Sequence, residues 1–413
     1  MAAIGQDRDK DVTSYMGFTG LRDDIPADRF AITDLAVAEN VDLDKSGKLT
    51  RRDGYSSVKS DTTAHSLWAD DSGTLAFYMA GKQLKRLNTD YSATTMAAMV
   101  SAGRMAFCRV NDAVYFSNGV DTGVYNVEAG AVRSWGLRRP GAVGIMRSVG
   151  ILPAGRYQVA MTYLRSDGQE SGAGPAQYID VPDGSSLQLT LPVSTDPDVV
   201  GKVIYATTQN GNMLYQLQAV ANSVTYAQYN GGDLIRPLET QFLQEAPAGQ
   251  CIAYYRGRMC VAKGDTLFFS TEFGYELFDL RNYVRVDGDI TILATMTDKD
   301  QVDAATNSGL FIGTDRSCGV LIGSGPSDFQ YVPKTNYGAI SGTLAMVDGS
   351  VYGDGSATAR NIPMWLTTNG VCAGMPGLQI NNLTRTKYTI PATGEGAALF
   401  MPGPNRIMMT YNL

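Results

Sequence analysis

Apolar and polar residues alternate with a period of two along most of this chain, in short runs separated by Gly, Asn and Asp. That period is the signature of half-buried strands joined by tight turns. In residues 257–271, GRMCVAKGDTLFFST, Arg258, Cys260 and Ala262 alternate with Met259, Val261 and Lys263, and Gly264-Asp265 then leads into Leu267-Phe268-Phe269. Residues 103–118, GRMAFCRVNDAVYFSN, echo this, with Val110-Asn111-Asp112 ahead of Val114-Tyr115-Phe116. Asn, Gly and Asp tolerate the positive φ of a two-residue turn, so both stretches predict a hairpin. A hairpin that recurs far along one chain predicts a radially repeated β architecture.

The rest of the chain fits that expectation. Residues 66–88, SLWADDSGTLAFYMAGKQLKRLN, read as three strands with Leu75, Phe77, Met79, Leu84 and Leu87 on the apolar faces. Between 155 and 229 the alternation sharpens: Tyr157, Val159, Met161 and Tyr163 share one face, and Gln158, Ala160, Thr162 and Leu164 the other. Val203, Tyr205 and Thr207 repeat the habit, and Leu214, Leu217 and Val220 follow. This stretch predicts an inserted β-sandwich of fibronectin type III or immunoglobulin-like architecture, without the paired cysteines and central tryptophan of antibody domains. The two Gly-Arg-Met triplets lie 154 positions apart, from 103 to 257. Removing an insert of about 76 residues leaves about 78, two units near 39, which is close to a propeller blade.

The predicted fold is therefore all-β, a β-propeller of roughly six to eight blades with seven preferred, interrupted by the sandwich. The expected divisions are a polar N-terminal arm over 1–30, the propeller over 31–153 and 230–413, and the insert over 154–229. The arm is read as a frayed tail or as a segment docked on the body or on a neighbouring subunit. The last strand, Arg406 to Tyr411, is expected to close the ring by pairing in the blade begun near Ala31 to Val58.

Composition narrows the function. A formal charge of -7 with a pI near 4.9 argues against nucleic acid as a bound ligand, because non-specific affinity for it comes mainly from Lys and Arg displacing counterions. Cys108, Cys251, Cys260, Cys318 and Cys372 are odd in number and sit mostly in apolar strand patterns. They read as reduced, buried thiols of a protein folded in a cytosol. The N-terminus, MAAIGQDRDKDVTSYMG, is polar and predicts no secretory signal, and no apolar run has the length of a membrane span.

Candidate chemistry is sparse. Asp42, Asp44, Ser46, Gly47, Leu49 and Asp53 occupy the first, third, fifth, sixth, eighth and twelfth places of a calcium-loop pattern. No helical pattern flanks them, so a glycine-containing β-turn is the preferred reading and calcium the weaker one. Asp70 to Leu75 repeat the turn core with Trp68 at the first ligand position. The lone His65 excludes a multi-histidine metal site, and no Cys-x-x-Cys, Gly-x-Ser-x-Gly or Walker-type loop is present. Glu272, Glu276 and Asp279, with Asp298, Asp300 and Asp303, are the acids that acid/base chemistry at a propeller mouth would draw on. They read more simply as turn and loop acids, so neither an enzyme nor a cofactor is expected.

The combination of GFTGLRDDIPADRFAITDLAVAENVDLDKSGKLTRRDGY, the blade hairpins, AGRYQVAMTYLRSDGQESGAG and AYYRGRMCVAKGDTLFFSTEFGYELFD resembles tail structural proteins of bacteriophages. In that family an Asn-Val-Asp segment, here Asn40-Val41-Asp42, leads into a Gly-x-Leu-x-x-Arg turn, here Gly47 to Arg52. The resemblance implies a propeller nozzle or hub of a short-tailed phage, a virion protein made in the bacterial cytoplasm. It implies a ring, usually a hexamer, below the portal and adaptor, through which DNA passes without specific binding. A negative lumen fits that transit, since carboxylates repel phosphate. A receptor-binding or adhesin module is the alternative, and a carbohydrate-active propeller a third reading.

Overall fold

Hairpin chemistry sets the architecture. Val110 pairs with Ala113 and Lys263 with Thr266 across two-residue turns whose first residues have positive φ, 53° at Asn111 and 59° at Gly264. Ala80 and Gln83 close a third such turn around Gly81, at φ 56°. These residue types reach the left-handed region at low cost, so each turn reverses the chain without splaying its strands. The computed structural model describes residues 17–44, 46–70, 72–296, 309–349, 361–384, 387–388, 390 and 394–412. Among them Ala27–Arg29 forms a short 3-10 turn.

β1 (Gly20–Leu21) pairs in parallel with β2 (Asp34–Leu35), and β3 (Val41–Leu43) with β4 (Leu49–Arg51) as an antiparallel ribbon. Sheet I holds β5 (Ala64–Ala69), β6 (Ala76–Ala80), β7 (Gln83–Leu87) and β8 (Ala93–Ala98). Sheet II holds β9 (Ala106–Val110), β10 (Ala113–Ser117), β11 (Thr122–Asn126) and β12 (Ala131–Arg133). The insert then supplies β13 (Gly144–Leu152), β14 (Gly155–Arg165), β15 (Gln177–Val181), β16 (Ser185–Thr190), β17 (Val199–Ala206), β18 (Tyr215–Ala221) and β19 (Tyr226–Tyr229). Sheet III holds β20 (Cys251–Tyr255), β21 (Arg258–Lys263), β22 (Thr266–Thr271) and β23 (Gly274–Arg285). Sheet IV holds β24 (Ile290–Met296), β25 (Gly309–Thr314), β26 (Cys318–Ile322) and β27 (Gln330–Pro333). Sheet V holds β28 (Ala345–Asp348), β29 (Asn361–Thr367), β30 (Gly370–Met375) and β31 (Gln379–Asn382), and a terminal ribbon holds β32 (Gly396–Met401) and β33 (Arg406–Tyr411).

Sheets I to V are antiparallel meanders stacked face to face in chain order, which is a β-propeller. Each interface is an apolar layer. Phe77, Met79 and Leu84 of sheet I meet Val114, Phe116 and Tyr125 of sheet II, and Tyr115 of sheet II meets Ile252, Met259 and Phe278 of sheet III. Cys260 and Phe269 meet Leu293 and Ile312 across the next interface. Phe311 and Val320 meet Trp365 and Cys372 across the last, which extends to Phe400 and Ile407 of the terminal ribbon. Outside the insert the described residues thus hold five four-stranded sheets and three two-stranded pairs, against the six to eight blades expected.

Two expectations need correction. The Gly-Arg-Met triplets are not equivalent, for Gly103 to Met105 precede β9, the first strand of sheet II, whereas Arg258-Met259 open β21, the second strand of sheet III. These two sheets are neighbours sharing one apolar layer, so the count of two units between the hairpins fails. The physical reason is that a two-residue turn demands the same residues whatever the rank of its strands in the sheet. Ring closure also differs. β33 pairs with β32, and no ladder joins it to β3 or β4 among the described residues. Instead Arg406 Nη2 lies 2.7 Å from Asp42 Oδ2, and Arg52 Nε lies 3.2 Å from Asp42 Oδ1.

Arg104 adds a second tie across the ring. Its Nη2 donates to the Gly396 carbonyl at 2.8 Å, and its guanidinium covers Gly342, where φ is 79° and the missing side chain leaves room. Residues 17–35 dock on the body beside the closing seam. The Asp23 amide donates to Lys387 O at 2.7 Å, and Lys387 Nζ donates to Thr19 O at 3.0 Å. The first half of the expected arm, 1–16, lies outside the described residues.

The insert is a two-sheet sandwich, β13-β16-β19 against β15-β14-β17-β18. Tyr157, Val159, Met161 and Tyr163 fill its core together with Leu187, Leu189 and Ile204. It begins earlier than residue 154, because β13 pairs with β16 from Gly144↔Thr190 onward. It also reaches past 229. Leu238 N donates to Leu214 O at 2.8 Å, and Leu238 packs on Val203 and Tyr205 on the outer face of β17. β17 is therefore covered on both faces, and Ile204 and Ala206, not Val203 and Tyr205, point into the main core.

The polar closure makes a local prediction. Arg406→Ala is expected to cost about 1 kcal/mol or less globally, as for a partly exposed ion pair, while amide exchange over Gly396–Tyr411 accelerates selectively. Equal acceleration in β24 to β27 would contradict a seam that opens on its own.

Candidate functional site

Asp42, Asp44, Ser46 and Asp53 do not converge. Asp44 Oδ1 accepts from the Ser46 amide at 2.8 Å, Ser46 Oγ at 2.6 Å and the Lys48 amide at 2.9 Å. These bonds, Ser46's first, hold its carboxyl below the ordinary value and are those of a turn-capping aspartate. Asp42 faces two arginines, and Asp53 is exposed on the rim of a shallow cleft with Arg51 and Tyr55. Among the described residues no group of three or more His, Cys, Asp or Glu side chains is placed to hold a metal. The Asp70 turn works in the same way. Its Oδ1 accepts from the Leu75 amide at 2.9 Å, and its Oδ2 accepts from Thr74 and from Arg109, which reaches across from sheet II.

The acids considered for acid/base work are separately engaged. Glu272 pairs with Arg258 at 3.0 Å and Asp279 with Arg281 at 2.7 Å, while Asp298, Asp300 and Asp303 lie outside the described residues. Glu276 is different in kind. It is 7% exposed and sits in an irregular stretch of β23, where the pairing with β22 jumps from Thr271↔Gly274 to Ser270↔Phe278. Arg133, at the end of β12, donates to its Oε1 at 2.6 Å, and Arg165, at the end of β14, donates to Oε2 at 2.7 Å. Arg165 is itself held by Asp167 at 2.8 Å. One buried carboxylate thereby ties sheet II, sheet III and the sandwich.

Its surroundings complete the joint. Trp135 Nε1 donates to Tyr275 O at 2.8 Å, and Gln244 and Phe278 exchange two backbone bonds of 2.9 Å. Trp135 belongs to the apolar layer between sheets II and III, and Leu137 two residues later belongs to the sandwich core. Burial pushes the Glu276 carboxyl upward, but the bonds and charges of Arg133 and Arg165 outweigh it and hold it below its ordinary value. No sequence signal pointed to this triad, since its arginines lie 143 and 111 residues from Glu276.

A second, half-buried acid stiffens the insert. Glu170 accepts from Thr162 Oγ1 and Tyr205 Oη, each at 2.7 Å, and pairs with Arg236. His65 is half-buried, with Nδ1 2.9 Å from Ser66 Oγ in a bulged part of β5. All five cysteines are free, and burial raises every thiol, Cys108 and Cys251 to about 12. Such thiols are poor nucleophiles at neutral pH.

Two outcomes test these assignments. Calcium or a chelator is expected to leave the melting temperature unchanged, because a ligand that does not bind the native state cannot stabilise it; a rise of several degrees with calcium would restore the metal reading. Glu276→Gln strands two arginines in a buried joint and is expected to cost about 3 kcal/mol in denaturant unfolding. The sign with pH follows from the lowered pKa. The wild-type contribution is fully present above the unfolded-state value near 4.5, and it disappears as pH falls through the lower folded value. The Gln variant should lack that acid-dependent component, and identical pH profiles would refute the assignment.

No family model matches the chain, and no curated protein matches it in sequence. In structure it is similar to a streptogramin B lyase, with a TM-score of 0.35 and 10% identity over 86% of this chain and 92% of that one. It is also similar to a catalytically inactive virginiamycin B lyase from Staphylococcus aureus with quinupristin, with a TM-score of 0.31 and 12% identity over 83% and 90% of the two chains. A third likeness is to the extracellular domain of the hybrid two-component system BT3049 from B. thetaiotaomicron, with a TM-score of 0.32 and 10% identity over 85% of this chain and 39% of that one. At such scores and identities none of the three bears on what this chain does.

Proposed function

We propose that the chain is a structural subunit of a bacteriophage tail, a propeller nozzle or hub that assembles as a ring of identical copies below the portal and adaptor and lets the genome pass. The observation that carries this reading is the use made of the buried charges. Glu276, Arg133 and Arg165 brace two propeller sheets against the sandwich, and Asp42 braces the closing seam. Carboxylates engaged this way fix the placement of one part of the chain on another, which suits a scaffold under load more than a catalyst.

The Asn40 to Arg52 segment, on which the family resemblance rests, forms the β3–β4 ribbon at the seam. The receptor-binding alternative would gain from a cluster of exposed aromatics on the insert. Tyr178 is exposed there, but the Arg156 guanidinium stacks 4.9 Å from its ring centre, and its companion on the 210–214 loop is the aliphatic Met213. The carbohydrate-active reading needs two converging carboxylates, and Glu272, Glu276 and Asp279 are each bound to arginines instead.

Electron microscopy of the purified protein, or of the particle that contains it, is the deciding experiment. Closed rings of identical subunits with an acidic lumen are expected. A stable monomer inside the particle, or a lumen rich in Lys and Arg, would reject the conduit and move the adhesin reading ahead.

A further inference from the structure

One stretch stands apart from the rest of the surface. Residues 51–60 are all exposed, and the chain forms no strand between Arg51 and Ala64. Tyr55 is 68% and Val58 66% exposed, so two large apolar side chains stand in solvent on a segment held at its ends by Arg52 to Asp42 and by Lys59 to Tyr91 O. The charge here opposes that of the whole. Residues 45–59, KSGKLTRRDGYSSVK, carry five Lys or Arg against one Asp, a formal +4 in a chain of -7, so the other residues carry -11. Arg51 has no ion pair among the described residues and lines a shallow cleft with Asn40, Arg52, Asp53, Gly54 and Tyr55.

From this we infer that the segment 48–59 is the docking surface by which one copy of the chain grips the acidic body of the next. The inference rests on the ring proposed above and assigns the contact that would build it. Charge complementarity selects the occupant: a basic, aromatic-bearing strip meets a surface of opposite sign on an identical chain, and such pairing steers association and fixes its register. Tyr55 supplies the apolar anchor at the centre, the kind of residue that dominates interface energetics. The two patches are different parts of the same subunit, so the contact is heterologous. Contacts of that kind close into rings when the rotation between copies allows it, whereas a self-complementary patch makes dimers.

The test compares the wild-type full chain with an Arg51→Glu/Tyr55→Ser double variant by light scattering and mass photometry across a concentration series. Both residues are exposed, so the melting temperature is expected to be unchanged. The variant should need at least about tenfold more protein to reach half assembly. Wild-type rings should loosen as salt rises from about 0.15 to 1 M, where the screening length falls from roughly 8 to 3 Å. A variant that assembles like wild type overturns this inference and leaves the ring standing. A wild type that is monomeric throughout overturns the ring and this inference with it. If the variant keeps its rings but loses binding to duplex DNA seen in the wild type, the strip serves nucleic acid and the copy-to-copy contact is wrong.

Discussion

Glu276 is the constraint on which the two-domain arrangement depends. An isolated carboxylate at 7% exposure would protonate or drive the structure open, because removing a charge from water costs several kcal/mol. Two arginines from different parts of the chain remove that cost only while all three elements stay in place. The arrangement is therefore selective as well as cohesive. A sandwich rotated by a few ångströms would strand Glu276 with Arg133 alone. Trp135 and the Gln244–Phe278 pairing fix the same joint from its apolar side.

The other interfaces of the propeller are built on a different principle. Sheets I to V meet through buried Phe, Tyr, Trp, Met and aliphatic side chains, whose stabilisation grows with area and tolerates small shifts. Where the ends of the chain meet, no apolar cluster of the described residues spans the terminal ribbon and sheet I. Charged and backbone contacts of Asp42, Arg406, Lys387 and Arg104 close the ring there. Such contacts are directional and weak against solvent, so the ring has one seam unlike the rest.

Much of the fold was legible because period-two alternation and turn residues are local signals. Tyr157 to Tyr163 alternate in sequence and line one core, and Asn111 and Gly264 sit at the positive-φ positions that their residue types promise. What escaped were the facts that need three dimensions. The rank of a hairpin within its sheet is invisible locally, which misaligned the Gly-Arg-Met repeat and its arithmetic. β13 reads as an ordinary exposed strand until β16 is placed beside it, so the insert was cut too short. Glu276 looked like one more loop acid because its partners are more than a hundred residues away. The calcium-like spacing was legible but ambiguous, and only the hydrogen bonds around Asp44 tell a capped turn from an open cage.

Arg104 has a geometric consequence. It leaves the loop before the first strand of sheet II, yet it touches Gly342 ahead of sheet V and Gly396 at the start of the terminal ribbon. First strands are the innermost in a propeller, and sheets II and V are not neighbours, so a side chain joining them must cross the hub. The guanidinium therefore ties the start of sheet II to the segments that lead into sheet V and the terminal ribbon. Loss of that one side chain would release two distant stretches of the chain at once.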